Sequence, residues 1–162
     1  MAKKKVEAVP KAYGSLTPGL AIRGAAAAIA FYKKAFGAKE LSRMPGPDGK
    51  LMHAELKIGD RILFLGDESP EMGAPSPQTL GGSPVSLMHY VKDVDAVFAR
   101  AVAAGAKPLM PPADMFWGDR CGQVVDPFGH RWWVATHMAD QTPGQMKKAM
   151  GEWMASQAAP KG

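Results

Sequence analysis

The sequence predicts an α+β protein: two tandem β-α-β-β-β modules forming a curved sheet cup, followed by a C-terminal helix. Three observations predict it. Two stretches with apolar residues at helical spacing run into the same kind of phrase, Phe36-Gly37-Ala38-Lys39 and Ala104-Gly105-Ala106-Lys107, 68 residues apart. Each is preceded by one short strand-like run and followed by three. The last two strands of each half meet at a tight glycine turn, Gly59-Asp60 and Phe128-Gly129-His130, with the two glycines 70 residues apart. Two offsets that nearly agree indicate a duplicated unit. One unit alone leaves a sheet face open, and pairing two closes that surface into a cavity.

In chain order, residues 1–14 read as a basic tail. The first module, 15–66, starts with a strand at 20–22. Its helix carries Ala25, Ala28, Ile29, Tyr32, Ala35 and Phe36 on one face and stops at Gly37. Strands at 40–44, 51–58 and 61–65 follow. Residues 67–84 are rich in Gly, Pro and Ser and read as a linker over the surface, too irregular for an element. The second module, 85–138, has a strand at 86–91. Its helix is capped by Asp93, striped by Val94, Val97, Phe98, Ala101 and Ala104, and ended by Gly105. Strands at 108–111, 120–125 and 131–137 complete it. In the last segment, 139–162, Thr142-Pro143 is a helix start. Met146, Ala149, Met150, Trp153 and Met154 form its apolar stripe, which suits either its own domain or a partner subunit.

Composition narrows the function classes. The 162 residues are 46% hydrophobic and 22% charged, enough for a buried core. The longest apolar run, 25–30, is far short of the ~20 residues of a membrane span. Lys3-Lys4-Lys5 has no apolar stretch behind it, so no secretory signal is expected. The single Cys121 excludes an internal disulfide and a multi-cysteine zinc site, and a cytoplasmic setting is expected. The net charge of +5 sits partly in the tails while the centre mixes both signs, so no nucleic-acid partner is expected.

Several phrases resemble one family. Ala28-Ile29-Ala30-Phe31-Tyr32-Lys33-Lys34-Ala35-Phe36-Gly37-Ala38 resembles the first-helix signature of the glyoxalase/bleomycin-resistance/dioxygenase superfamily, the vicinal oxygen chelate fold. Asp126-Pro127-Phe128-Gly129-His130 is similar to its Asp-Pro-x-Gly turn. Met52-His53-Ala54-Glu55-Leu56, Trp117-Gly118-Asp119-Arg120 and Trp132-Trp133-Val134-Ala135-Thr136-His137 resemble its PhnB-like branch. The resemblance covers roughly 15–155. It implies the fold strongly and the function weakly, since one fold hosts many chemistries. Metal-using members take one His or Glu from the first and last strand of each module. Carried over singly, those positions fall at Thr17, at or next to Phe64, at Ser86 and at Trp133. None is a good ligand, so the resemblance implies neither a metal nor another cofactor here.

Alternation then sorts the neighbours. Ser86, Met88 and Tyr90 share the cavity face, with Leu87, His89 and Val91 toward the helices. Arg131, Trp133, Ala135 and His137 share it on the final strand. On strand 51–58, His53, Glu55 and Lys57 look into the cup, while Met52, Ala54, Leu56 and Ile58 form the apolar underside. His53 and Glu55 are the candidate catalytic pair, acid and base on one face or ligands of a relocated metal. By the 70-residue offset, Gln123 matches His53. Gln123 shares the cavity face with Cys121, which reads as a buried thiol or as a nucleophile helped by Arg120. Trp117 is a lid or interface aromatic. Arg120 is either a clamp for a carboxylate or phosphate or a structural partner of Asp119 or Asp126.

The expected function is metal-independent binding of a small organic molecule, planar or cationic, in an aromatic cup lined by Phe64, Tyr90, Trp117 and Trp133. Thr17, Ser86, Arg120 and Gln123 supply its polar contacts. The alternative is a lyase or isomerase of small oxygenated molecules that uses His53 and Glu55. A third reading is an interaction module working through the helix at 142–155. A homodimer is expected from the duplicated open sheets and the C-terminal stripe.

Overall fold

A computed structural model describes residues 6–158; Lys3-Lys4-Lys5 and Lys161 lie outside the described residues. The chain forms two units: residues up to Ser83 together with Pro127–His130, and Pro84–Asp126 together with residues from Arg131 onward. Each contains a four-stranded mixed sheet with a helix on one face, so the α+β fold of two β-α-β-β-β modules and a C-terminal helix is present. No helix among the described residues is long and apolar enough to cross a membrane.

In the first unit the elements are β1 (Gly19–Ile22), α1 (Ala25–Phe36), β2 (Lys39–Pro45), β3 (Leu51–Ile58) and β4 (Arg61–Asp67). The sheet order is β1-β4-β3-β2, with β1 and β4 parallel and the other pairs antiparallel. α1 buries Ala25, Ala28, Ile29, Phe31, Tyr32, Ala35 and Phe36, the expected stripe with Phe31 added, and stops at Gly37 with φ 67°. Beneath it lie Ala54 and Leu56 of β3, paired with Leu65 and Leu63 of β4, all buried. Asp67 at the end of β4 accepts the backbone N–H groups of Gly24 and Ala25 on one oxygen and that of Leu51 on the other. It thereby ties the start of α1 to the start of β3.

Met52 departs from the expected underside: it is 68% exposed. The β2–β3 register shifts between Met44 and Pro45, and this irregularity breaks the alternation at the beginning of β3. Gly66 answers the same irregularity. A β-carbon there would sit 2.8 Å from the Met52 carbonyl oxygen.

The stretch expected to lack elements carries a 3-10 turn, Pro70–Met72, and a short helix, α2 (Pro77–Leu80). Glu68 organises it: its carboxylate accepts hydrogen bonds from Arg23, from the Ser76 N–H and from the Thr79 hydroxyl. Those donors, Thr79 first, hold its pKa at about 2. The turn Pro127–His130 belongs to this unit. Phe128 lies 6.2 Å from the Phe31 ring, and Gln78 donates to the Pro127 carbonyl.

The second unit holds β5 (Ser86–Tyr90), α3 (Val94–Ala104), β6 (Lys107–Asp114), β7 (Asp119–Val125), β8 (Arg131–His137) and α4 (Pro143–Ala158). The sheet order β5-β8-β7-β6 repeats that of the first. Asp93 caps α3 by accepting the Ala96 N–H, and Gly105 ends it. α3 covers the face bearing Gly122, Val124, Trp132 and Val134; a β-carbon on Gly122 would strike the Phe98 ring. Trp132 is buried there with its indole N–H on Asp126. Thr142 and Gln145 cap α4 reciprocally, each side-chain oxygen accepting the other's backbone N–H.

Candidate functional site

Each sheet has one face packed on its helix and one without it, and the second carries the chemistry. In the first unit this open face presents His53 and Glu55 of β3 beside Phe64 of β4, which is the cross-strand partner of Glu55. His53 Nε2 lies 3.5 Å from Glu55 Oε1, and the imidazole meets the Phe64 ring edge-on at 4.9 Å. A residue read as tail completes the group. Tyr13 donates its hydroxyl to Glu55 Oε1 at 3.0 Å and sets its ring 5.2 Å from Phe64. That hydrogen bond, then the carboxylate charge, raises the Tyr13 pKa. Thr17 donates to the Tyr13 carbonyl, so its hydroxyl serves the turn that delivers Tyr13.

Beside this group is a cleft of about 340 Å³. Gly19, Ala21, Met52, His53, Phe64 and Asp67 line it among others. Its volume suits a small organic molecule.

In the second unit, alternation holds on β5 and β8. Ser86 pairs with Arg131, Met88 with Trp133 and Tyr90 with Ala135, on the face opposite buried Trp132 and Val134. Gln123 pairs with Trp133 on the same face. At the end of this face Asp119 gathers three donors. Its Oδ2 accepts the Tyr90 hydroxyl at 2.9 Å and the Trp117 indole at 3.1 Å; its Oδ1 lies 2.7 Å from His137 Nδ1. Asp119 is only 5% exposed. Burial alone would raise its pKa, but the donors, His137 foremost, bring it below the usual carboxylate value. His137 also meets Asp140 at 3.1 Å, and the hydrogen bonds to Asp119 and then Asp140 raise its pKa.

Two expectations change in the folded protein. Arg120 lies on the other face, paired with Thr136, and it is held by Asp95 through two nitrogens at 2.8 Å and by Asp114 at 3.0 Å. Neither Asp119 nor Asp126 is its partner, and its fork is already filled. Cys121 is fully buried, and burial first, then Asp119, pushes its thiol pKa up, the reverse of what a nucleophile needs.

The positions where the resemblance puts metal ligands hold two hydroxyls and two aromatic rings. Phe64 is engaged by two other rings, and Thr17 by a backbone carbonyl. Among the described residues no three His, Cys, Asp or Glu side chains gather as a metal-binding group. This donor set does not fit the metal of metal-using relatives.

Sequence reasoning missed Tyr13 and Asp119 as site-forming groups, and put His137 on the cavity face without giving it a role. The parity of β7, with Asp119 two residues before Cys121, was the available signal for Asp119. Tyr13 lies outside any strand, and nothing in the sequence pairs it with Glu55, 42 residues away.

Residues 16–134 match the family model described as Glyoxalase/Bleomycin resistance protein/Dioxygenase superfamily. An uncharacterized protein of Mycobacterium tuberculosis (strain ATCC 25618 / H37Rv) is 47% identical over 139 residues, 84% of this chain and 82% of its own. Among solved structures, TioX from Micromonospora sp. ML1 is 31% identical with a TM-score of 0.60, over 77% of this chain and 100% of that one. A putative 3-demethylubiquinone-9 3-methyltransferase, PhnB protein, from Bacillus cereus is 19% identical with a TM-score of 0.59, over 75% and 98%, a likeness of fold.

Proposed function

Because the chain belongs to the Glyoxalase/Bleomycin resistance protein/Dioxygenase superfamily, yet carries aromatic and hydroxyl side chains at the ligand positions, we propose that it binds a small organic molecule without that metal. One observation carries the reading: Phe64 stands on the open face between Tyr13 and His53 and lines a cleft of about 340 Å³. A ring there offers a stacking surface to a flat ligand. Trp133 offers the corresponding surface in the second module, with Tyr90, Ser86 and Gln123 on the same sheet and Trp117 in the turn before β7. The binder works as a homodimer in the cytoplasm. The exposed Met146, Met150, Trp153 and Met154 of α4 supply the kind of apolar surface a subunit contact uses.

Thermal-shift screening against planar organic compounds tests the reading. A ligand at 100 times its dissociation constant should stabilise the chain by about 2.7 kcal/mol. Phe64→Ala or Trp133→Ala should weaken the response. A set with no stabilising compound, or binding indifferent to both substitutions, would sink it.

A second reading has its own observation. His53 and Glu55 lie 3.5 Å apart with Tyr13 fixing the carboxylate, an arrangement suited to moving a proton on a small oxygenated substrate. His53→Gln would then abolish turnover while leaving binding in place.

A further inference from the structure

We propose that the cleft of the first unit selects a flat cation, an amidinium or aromatic amine, with its ring over Phe64 and its positive nitrogen at Glu55 Oε2. This rests on the binding reading above and names the chemical class of its ligand.

The charges around the cleft are one-sided. Among the described residues, Asp67 and His53 are its only ionisable lining residues, and its lining holds no lysine or arginine. Asp67 receives three backbone N–H groups but no cationic side chain, so its negative charge is not cancelled by a partner. Lys57 and Arg61 start near the turn between β3 and β4, Arg61 reaching back toward Gly14 and pairing with Asp60, while Arg23 and Lys50, near the Asp67 end, pair with Glu68 and Asp48. An anion entering the cleft would meet Asp67, with no lysine or arginine in the lining among the described residues.

Glu55 does not line the cleft itself; it is the cross-strand neighbour of Phe64 and lies 3.5 Å from His53, and both of those residues line it. Its side chain is 18% exposed, and Oε1 is taken by the Tyr13 hydroxyl and by His53. Among the described residues Oε2 accepts no hydrogen bond. A half-buried carboxylate oxygen left over beside an aromatic ring matches an N–H-bearing cation, which gains a charge-assisted bond and the attraction of the ring face together.

The test uses three isosteric probes on the full chain: naphthalene-2-carboxamidine, naphthalene-2-carboxamide and 2-naphthoate. Affinities come from NMR titration. The amidine should bind about tenfold tighter than the amide, and the naphthoate more weakly than the amide. Glu55→Gln should bring the amidine to within about twofold of the amide. Tyr13→Phe keeps the carboxylate and removes its donor, and should widen the amidine preference. Amide or naphthoate binding as tightly as amidine, a preference that survives Glu55→Gln in folded protein, or one that Tyr13→Phe leaves unchanged or lowers overturns the proposal. If all three probes bind without charge preference and Phe64→Ala weakens them, only the cation selectivity falls. If none binds, the binding reading falls with it.

Discussion

Alanine at position 118 should be among the most damaging single substitutions outside the core. Gly118 sits in the turn before β7 at φ +97°, and a β-carbon there would run into the Ala139 carbonyl oxygen and lie 3.1 Å from Gln141 Cγ. The Gly118 carbonyl accepts the backbone N–H groups of Met138 at 2.9 Å and Ala139 at 3.0 Å. Left-handed backbone costs a residue with a β-carbon about 1–2 kcal/mol. Forcing the overlap apart adds about 1–3 kcal/mol, and each lost hydrogen bond about 1 kcal/mol. Partial relaxation trades these against one another, so the net loss should be about 3–5 kcal/mol. Urea unfolding followed by circular dichroism reads it. Phe116 of the same turn lies 5.7 Å from Trp153, so amide exchange over Pro143–Ala158 should quicken as well. A loss below about 1 kcal/mol with unchanged exchange would refute the reasoning that this turn anchors α4.

The other predictions concern α4, titration, the aromatic face and assembly. Gly151→Ala, in a helix with open space around that position, should stabilise the chain by about 0.5–1 kcal/mol in the same urea assay. The His137 pKa is raised above 6.5 in the folded state, so its contribution is full below 6.5 and is lost as pH rises through the folded value; His137→Gln should flatten that part of the stability–pH curve. Asp119, lowered below 3.8, contributes above that value and loses it as pH falls through the folded one, so acid unfolding of Asp119→Asn should begin from a weaker protein with a shallower slope. Trp133→Ala should cost a stacked ligand about 1–3 kcal/mol by fluorescence titration. Trp133→Glu should weaken organic-ligand binding without creating tight metal binding in a metal titration, because Thr17, Phe64 and Ser86 remain poor ligands. Light scattering across a dilution series should return a dimer mass, and a monomer at micromolar concentration would remove that assignment.

Much of the architecture was legible because repeats and alternation are local and periodic. Two glycine-ended helices at a fixed offset gave both modules, and the parity of β8 put Trp133 and Trp132 on opposite faces. The parity of β3 likewise brought His53 and Glu55 together. Alternation failed where the backbone ceased to be regular: the shift near Pro45 turned Met52 outward. Arg120 shows a different limit. The same alternation that places Cys121 and Gln123 on one face puts Arg120 on the other, but a carboxylate-seeking side chain in an unusual phrase drew a functional reading. Its partners, Asp95 and Asp114, come from α3 and β6, and sequence spacing does not connect them. Tyr13 was unreadable for the same reason: a turn outside any repeat carries it to Glu55. The linker hid a hub of side-chain bonds to Glu68, which composition alone does not reveal.

On the proposed function, aromatic surfaces have taken over where metal-using relatives hold an ion. Native mass spectrometry of the gently purified full chain tests it most directly, since one spectrum resolves bound metal from bound organic mass. No stoichiometric divalent metal is expected, and incubation with naphthalene-2-carboxamidine should add a mass increment equal to that molecule, which Phe64→Ala removes. One tightly held divalent ion per chain, retained in Phe64→Ala and required for any organic adduct, would contradict it.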